Sequence, residues 1–343
     1  MTHQELATYS NYALYSAMAI LALAMLAYAG YLAGLMPARS EHKAARQESR
    51  ERDKALVGVG AGESATGQVH DTPADALVDV PATPAPRRHI DDGVSAGARK
   101  LAGIGSSLSW LATVFLVVSV ALRSLSVMRA PLGNMFEFSV VAVTLVMLAF
   151  CLWSLKRDLR WLGIFVVTPA LLVLGIALVW WYTEAAELMP SLQSYWLVIH
   201  VSVAVLAMAV FFIGAMMGLL YLAQDRVETT GKVSILNRFP NSRALERLTY
   251  GLHVVAFPLW TFTLIAGAIW ARQAWASYWN WDPKEVWTFV IWVVYAAYLH
   301  ARVTSGWSKQ RATYIALAGF VCILINYGIV NLFFVSQHSY SGL

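Results

Sequence analysis

The sequence predicts an all-α protein, a polytopic bundle of about eight transmembrane helices. Of its 343 residues, 58% are hydrophobic and only 13% are charged, whereas about a quarter of the residues in a soluble domain are charged. Several separate apolar stretches reach the roughly 20 residues that a helix needs to cross the hydrocarbon core. Lipid forces each span to satisfy its own backbone hydrogen bonds, which favours helices. These features exclude soluble enzymes.

Eight stretches of the chain are long and apolar enough to be spans. The first is predicted to stay as an anchor and not to be a signal peptide, because it is long, lacks a basic segment before it and has its positive charges after it. The predicted spans are, in order, 11–36, 101–122, 134–155, 161–181, 196–223, 248–270, 286–303 and 312–334.

The basic residues of the loops predict the orientation. The loops after spans one, three, five and seven are rich in Lys and Arg, and cytoplasmic loops carry that excess. Both termini are therefore expected on the extracytoplasmic side. Arg123 and Arg129, in the loop after span two, are exceptions. The net charge of +5 reflects this orientation and forms no continuous basic face, so no nucleic acid is expected as a partner.

Residues 37–100 differ in composition from the spans. They are charged first and then rich in Ala, Pro, Gly and Asp, with too little apolar periodicity to pack a core. We predict a disordered cytoplasmic linker over 37–100, between an N-terminal anchor, 1–36, and a seven-span functional domain, 101–343. Cys151 and Cys322 lie singly inside apolar segments, so any thiol chemistry is expected in a partner.

One segment, 270–292, is unusually rich in tryptophan. It reads WARQAWASYWNWDPKEVWTFVIW, holds six of the fourteen tryptophans, and is predicted to have its middle portion in an outer loop. An interfacial aromatic belt is one explanation. A belt does not account for Asp282, Lys284 and Glu285 among the rings. Flat aromatic surfaces beside fixed charges suit a large planar ligand with charged edges, such as a porphyrin.

Four histidines lie in or beside the predicted spans, and imidazole is a common axial ligand of haem iron. His200, one turn inside span five, and His338, after span eight, are predicted at the same membrane level and can close on one iron from both faces. His300 is predicted about 21 Å below the outer surface at 1.5 Å per residue. His300 and His253 are ionisable groups at depth, which indicates function. Structural hydrogen bonding remains the alternative for all four.

Several motifs occur in a fixed order, which is more specific than any single short pattern. They are APLGNMFEF at 130–138, SYWLVIHV at 194–201, AWASYWNWDPKEVWTFVIW at 274–292, YLHAR at 298–302 and QHSY at 337–340. With these motifs, residues 101–343 resemble the CcsA/ResC proteins of the System II cytochrome c synthase. These proteins, called CcsB in several bacteria, belong to the haem-handling superfamily defined by the WWD signature.

The resemblance implies a haem site at the WWD segment. His200 and His338 match the family's external axial ligands, His300 matches its transmembrane histidine, and His253 has no counterpart and is assigned a structural role. The residues expected to bind haem are His200, His338, His300, Trp275, Trp279, Trp281 and Asp282, with the three histidines as metal ligands. One departure is Ala276 where the family has Gly, since Ala disfavours the positive φ that Gly allows.

The resemblance also implies the reaction and the partners. The expected function is cytochrome c maturation at the plasma membrane, with haem b as the substrate whose vinyl groups are attached to the CxxCH thiols of apocytochrome c. The chain would be a subunit of a holocytochrome c synthase (haem lyase) with a ResB/Ccs1-like membrane protein, and a thiol-reducing thioredoxin-like protein is expected nearby. The alternatives are a System I CcmC-like haem carrier and a proton-coupled solute transporter with His300 and Glu137 as its relay. Arg123 and Arg129 are candidates for binding haem propionates.

Overall fold

A computed structural model of the protein describes residues 2–35, 94–188 and 192–338. Within these ranges the regular structure is helical, and eight helices are long and apolar enough to cross a membrane. The predicted all-α class and the eight spans are confirmed. The helices are α1 (His3–Gly34), α2 (Ala96–Val127), α3 (Met135–Ser154), α4 (Gly163–Trp180), α5 (Tyr195–Thr230), α6 (Ser242–Trp275), α7 (Pro283–Val303) and α8 (Lys309–Leu324).

Two of these spans contain a second type of helix. A 3-10 turn, Arg160–Leu162, leads into α4. The last span continues from α8 through a π-helical turn, Ile325–Val330, into a short helix, Asn331–Phe333. The linker predicted for 37–100 lies outside the described residues except at its end, where α2 begins at Ala96.

Local sequence sets the first residue of most helices. Asn134 and Ser194 precede α3 and α5, and each side-chain oxygen accepts a hydrogen bond from a first-turn N–H, which satisfies a backbone donor that the helix itself leaves open. The cap of α6, Asn241, lies in polar sequence before the predicted span, and α5 continues to Thr230 beyond its predicted end. Both helices are therefore longer than the spans predicted from hydropathy.

Small residues let the first two helices pack closely. Ala17 and Ala24 of α1 and Ala102 of α2 are completely buried, and Gly105 of α2 lies against the Tyr28 ring. Small interfacial residues are the usual means of helix association in lipid. The segment predicted as a separate anchor thus shares the hydrophobic core of α2, α3 and α4.

Contacts between loops place the site at one end of the bundle. Arg123, at the end of α2, donates to the carbonyl of Thr183 in the α4–α5 loop, and Asn280 in the α6–α7 loop donates to Gln337 in the C-terminal tail. The basic loops follow α1, α3, α5 and α7. The extracytoplasmic location of the site end and of both termini stays a prediction from those charges.

Candidate functional site

An open-sided cavity lies between α3, α5, α6, α7 and the last span. Its empty volume, including open solvent at the mouth, is about 1160 Å³. His200, His338, Trp279 and Lys284 all line it. The structure therefore brings together two histidines that are 138 positions apart in the sequence.

His200 is held by the neighbouring helix. Its Nδ1 lies 3.0 Å from the carbonyl oxygen of Thr263 in α6. A carbonyl only accepts, so Nδ1 carries the proton and Nε2 has the lone pair that can coordinate a metal. One turn further along α6 is Gly267, where a Cβ atom would lie 2.7 Å from His200 Cε1. The absence of a side chain at that position makes room for the ring.

His338 is held in a similar way by a carboxylate. Its Nδ1 is 3.2 Å from Asp282 Oδ1, and the Trp275 ring packs edge to face against it at a centroid distance of 4.8 Å. An imidazole whose Nδ1 donates to a carboxylate binds a metal through Nε2, with its orientation fixed by that bond. Both histidines thus have their Nδ1 atoms engaged by oxygen acceptors.

Asp282 connects three parts of the site. It caps α7 by accepting from the Lys284 N–H at 2.9 Å, and it accepts from the Gln337 N–H at 2.7 Å as well as from His338. Burial alone would raise the pKa of Asp282, but these hydrogen bonds hold it below its usual value. Asp282 is not among the residues that line the cavity. Its contacts show it positioning His338, and its expected contact with haem stays a prediction.

The three predicted tryptophans do not form one flat surface. Trp279 lines the cavity, whereas Trp275 packs on His338 and Trp281 is 76% exposed. The planes of Trp279 and Trp281 are 87° apart. Trp281 also has a positive φ of 57°, which is a genuine outlier for a bulky residue and occurs where surrounding contacts impose it.

Ala276 corrects one sequence expectation. It follows α6 in the left-handed conformation, with φ of 58° and ψ of 13°, although Ala disfavours that region by about 1–2 kcal/mol. The Arg272 guanidinium donates to its carbonyl at 2.7 Å. Ala at position 276, where the family has Gly, therefore keeps the same turn, but its backbone is strained.

His300 lies away from the cavity. The helix α7 begins three residues before the predicted span, and His300 falls in its last turn with its side chain exposed on the surface of the chain. It is seventeen positions after Pro283, about 26 Å along the helix at 1.5 Å per residue. His300 is therefore at the opposite end of α7 from the cavity, and its depth below the outer membrane surface stays a prediction.

Glu137 explains the two basic exceptions to the charge pattern. Its buried carboxylate accepts from Arg123 at 3.1 Å and from Arg129 at 2.8 Å, and both arginines also bind carbonyls of the α4–α5 loop. The two arginines do not line the cavity, which removes them as propionate ligands. A Glu137–His300 proton relay has no support either, since Glu137 begins α3 at the site end and His300 lies at the other end.

Sequence reasoning missed several residues of the site. Gly267 and Thr263 hold His200, Gln337 fixes the tail, and Asn326 and Lys284 line the cavity. Of these residues, only Lys284 could have been identified from the sequence, because it is a charged residue among tryptophans. The others depend on contacts between segments that are far apart in the chain.

The comparisons with known proteins agree on one family. The family model described as cytochrome C assembly protein matches residues 129–338. A CcsA cytochrome c biogenesis protein of Guillardia theta is 35% identical over 261 residues, covering 70% of this chain and 86% of that protein. A CcsA protein of Parasynechococcus marenigrum is 33% identical over 276 residues, with coverages of 72% and 88%.

A solved structure has the same fold. The cytochrome c haem lyase CcmF superposes with a TM-score of 0.59 at 14% identity, covering 95% of this chain and 47% of the longer lyase chain. The matched region, 129–338, contains the cavity and every residue that we place in it or beside it. The chain is therefore a member of the cytochrome c assembly protein family, of the CcsA type.

Proposed function

We propose that this protein acts in cytochrome c maturation by holding haem between His200 and His338 and presenting it at the extracytoplasmic face for attachment to apocytochrome c. One observation carries the proposal. Two histidines from distant segments line one cavity, and an oxygen acceptor engages Nδ1 of each. Coordination by two Nε2 atoms is the arrangement that such a pair offers to one iron.

The attachment step needs no nucleophile from this chain. Each cysteine S–H of a CxxCH segment adds across a haem vinyl group, so that a C–S bond forms, the proton goes to the vinyl carbon and nothing is oxidised or reduced. Haem b, which has two vinyl groups, is the proposed substrate. The protein contributes orientation, because fixing two reactants in register can remove about 7–11 kcal/mol of a barrier at best.

The open side of the cavity and the exposed face of α7 suggest different partners. Apocytochrome c would approach the mouth beside Trp281, and a thioredoxin-like protein would keep its thiols reduced. His300 shares an exposed face with Phe289 and Val293, which suits a ResB-like subunit that supplies a second imidazole. This assignment makes the complex a System II synthase of the plasma membrane and not a System I carrier.

The test is removal of each ligand in the full-length protein, with haem spectra and holocytochrome c yield as readouts. His200→Ala and His338→Ala are each expected to shift the spectrum of the reduced, purified protein and to reduce the yield at least tenfold. His3→Ala is the matched control, because His3 lies at the same end of the bundle and bonds only the Ser126 carbonyl. It should behave as the wild type.

Two results would contradict the proposal. Wild-type spectra and yields in both variants would rule out axial ligation by these histidines. A purified wild-type protein without any haem absorption band, whether alone or with its ResB-like subunit, would rule out haem presentation itself.

A further inference from the structure

Among the described residues, the Lys284 ammonium group has hydrogen bonds but no carboxylate within ion-pair distance. Its side chain lines the cavity. Its ammonium group donates to the Asn326 carbonyl at 2.9 Å and to Asn331 Oδ1 at 2.8 Å. Both acceptors are neutral. An ammonium has three N–H donors, so one donor remains after these two bonds.

The nearby carboxylates are already engaged elsewhere. Asp282 accepts from His338 and from two backbone N–H groups. Glu285 Oε2 accepts from the backbones of Asn280 and Asp282, whereas Glu285 Oε1 is buried without a hydrogen-bond partner and is not bonded to Lys284. In the part of the chain that the structure describes, no carboxylate oxygen lies within the 4.0 Å of an ion pair with Lys284. A charge inside a protein without a partner of opposite sign is costly, which points to an anion supplied by the ligand.

The helix opposite Lys284 is distorted at the point of contact. The last span makes a π-helical turn over Ile325–Val330, and it is the Asn326 carbonyl of this turn that binds the ammonium. Such turns interrupt the regular backbone bonding and occur frequently at functional sites. The distortion therefore helps to hold the Lys284 side chain at the cavity wall.

We propose that Lys284 binds a propionate group of the haem and so fixes which edge of the porphyrin enters the cavity. This inference rests on the proposed function. Haem has two carboxylates on one edge and its two vinyl groups elsewhere on the ring. A single cation at the wall would place the propionate edge inward, near the bundle, and leave the vinyl groups toward the mouth, where the cysteine thiols arrive. Arg123 and Arg129 are not available for this role because Glu137 binds both.

The experiment compares haem with haem dimethyl ester, in which both propionates are esterified and uncharged. Each is titrated into the purified full-length protein in detergent, in the reduced state, and the dissociation constant is measured from the absorption spectrum. Wild type is expected to bind haem at least about tenfold more tightly than the ester, as one charge-assisted pair provides. The same titration into detergent micelles without protein gives the background from haem dissolved in micelles.

The informative variant is Lys284→Gln, whose slightly shorter side chain keeps N–H donors but has no charge. It is expected to weaken haem binding about tenfold, leave ester binding unchanged, and so bring the ratio of the two constants close to one. Lys156→Ala, an exposed residue at the other end of the bundle, is the matched control and should keep the wild-type ratio.

Three outcomes distinguish failure of the propionate-binding role of Lys284 from failure of the proposed function. Unchanged binding of both haem and ester in Lys284→Gln overturns the inference while haem binding stands. Equal weakening of haem and ester also overturns it, because that result assigns Lys284 a structural role in the π-helical turn. If wild type binds neither porphyrin above the micelle background, the proposed function itself is wrong.

Discussion

Gly267→Ala is expected to disturb haem binding through His200 alone. A Cβ atom added at Gly267 would lie 2.7 Å from His200 Cε1 and 3.1 Å from Nδ1. Ordinary contact begins at 3.4 Å, so the ring must move by about 0.7 Å (3.4 minus 2.7). Metal–ligand distances tolerate about 0.2 Å, and the hydrogen bond to the Thr263 carbonyl is worth about 1 kcal/mol. We expect at least fivefold weaker haem binding.

The same substitution elsewhere provides the controls. Gly251, also in α6, has no neighbouring atom within 4 Å of an added Cβ, so Gly251→Ala should be neutral or stabilising by up to about 1 kcal/mol. Gly214→Ala would place its Cβ 2.7 Å from Cε1 of His253. It should lower stability by about 1–3 kcal/mol through overpacking without a specific effect on the haem spectrum.

The assay is thermal unfolding in detergent combined with the reduced haem spectrum and the haem content of the purified protein. The reasoning fails if Gly267→Ala keeps wild-type haem content and spectrum. It fails equally if Gly214→Ala loses as much haem as Gly267→Ala at the same stability, because the effect would then be general and not specific to His200.

Three further predictions concern the loop and its supports. Asp282→Asn removes the carboxylate that orients His338, and we expect about 10–100-fold weaker haem binding by spectral titration; wild-type binding would contradict the positioning role. Ala276→Gly relieves the positive φ of 58° and should stabilise the protein by about 0.5–1 kcal/mol in thermal unfolding, whereas a loss of stability would show that no strain is stored there. Glu137→Gln leaves the buried Arg123 and the partly buried Arg129 without their carboxylate and should destabilise by about 3–5 kcal/mol, while the exposed control Glu184→Gln should change stability by less than about 0.5 kcal/mol.

The sequence predicted the spans and the common level of the two ligands for physical reasons. In lipid, a helix is the main way for a single segment to satisfy its backbone hydrogen bonds. An apolar stretch of sufficient length therefore predicts a transmembrane helix. Counting spans then predicts which loops share a face, and His200 and His338 fall at the same end. The ends of the helices were less predictable, because caps such as Asn241 lie in polar sequence outside the apolar stretch.

The details of the site depended on tertiary contacts that no local pattern carries. The bond from the Gln337 N–H to Asp282 joins residues 55 positions apart, so no local pattern reveals that Asp282 supports the tail. The exposure of Trp281 in the turn before α7 was likewise not predictable from the sequence. The expected contact of both residues with haem stays a prediction. The sequence shows Lys284 as a basic residue among tryptophans. Only the structure shows that its hydrogen-bond acceptors are neutral and that none of the described carboxylates is within ion-pair distance.

The packing of α5 against α6 shows why a histidine in a membrane helix cannot be assigned from its spacing. His200 and Gly214 are fourteen residues apart on α5, and His253 and Gly267 are fourteen apart on α6. Each histidine therefore faces a glycine of the other helix, and each Nδ1 meets a threonine carbonyl. Around His253 the space is filled by aromatic rings, with Tyr295 at a centroid distance of 5.3 Å, whereas His200 opens into the cavity. The local packing is nearly the same at both positions, so the void beside His200 is what makes it the ligand candidate and leaves His253 a core residue.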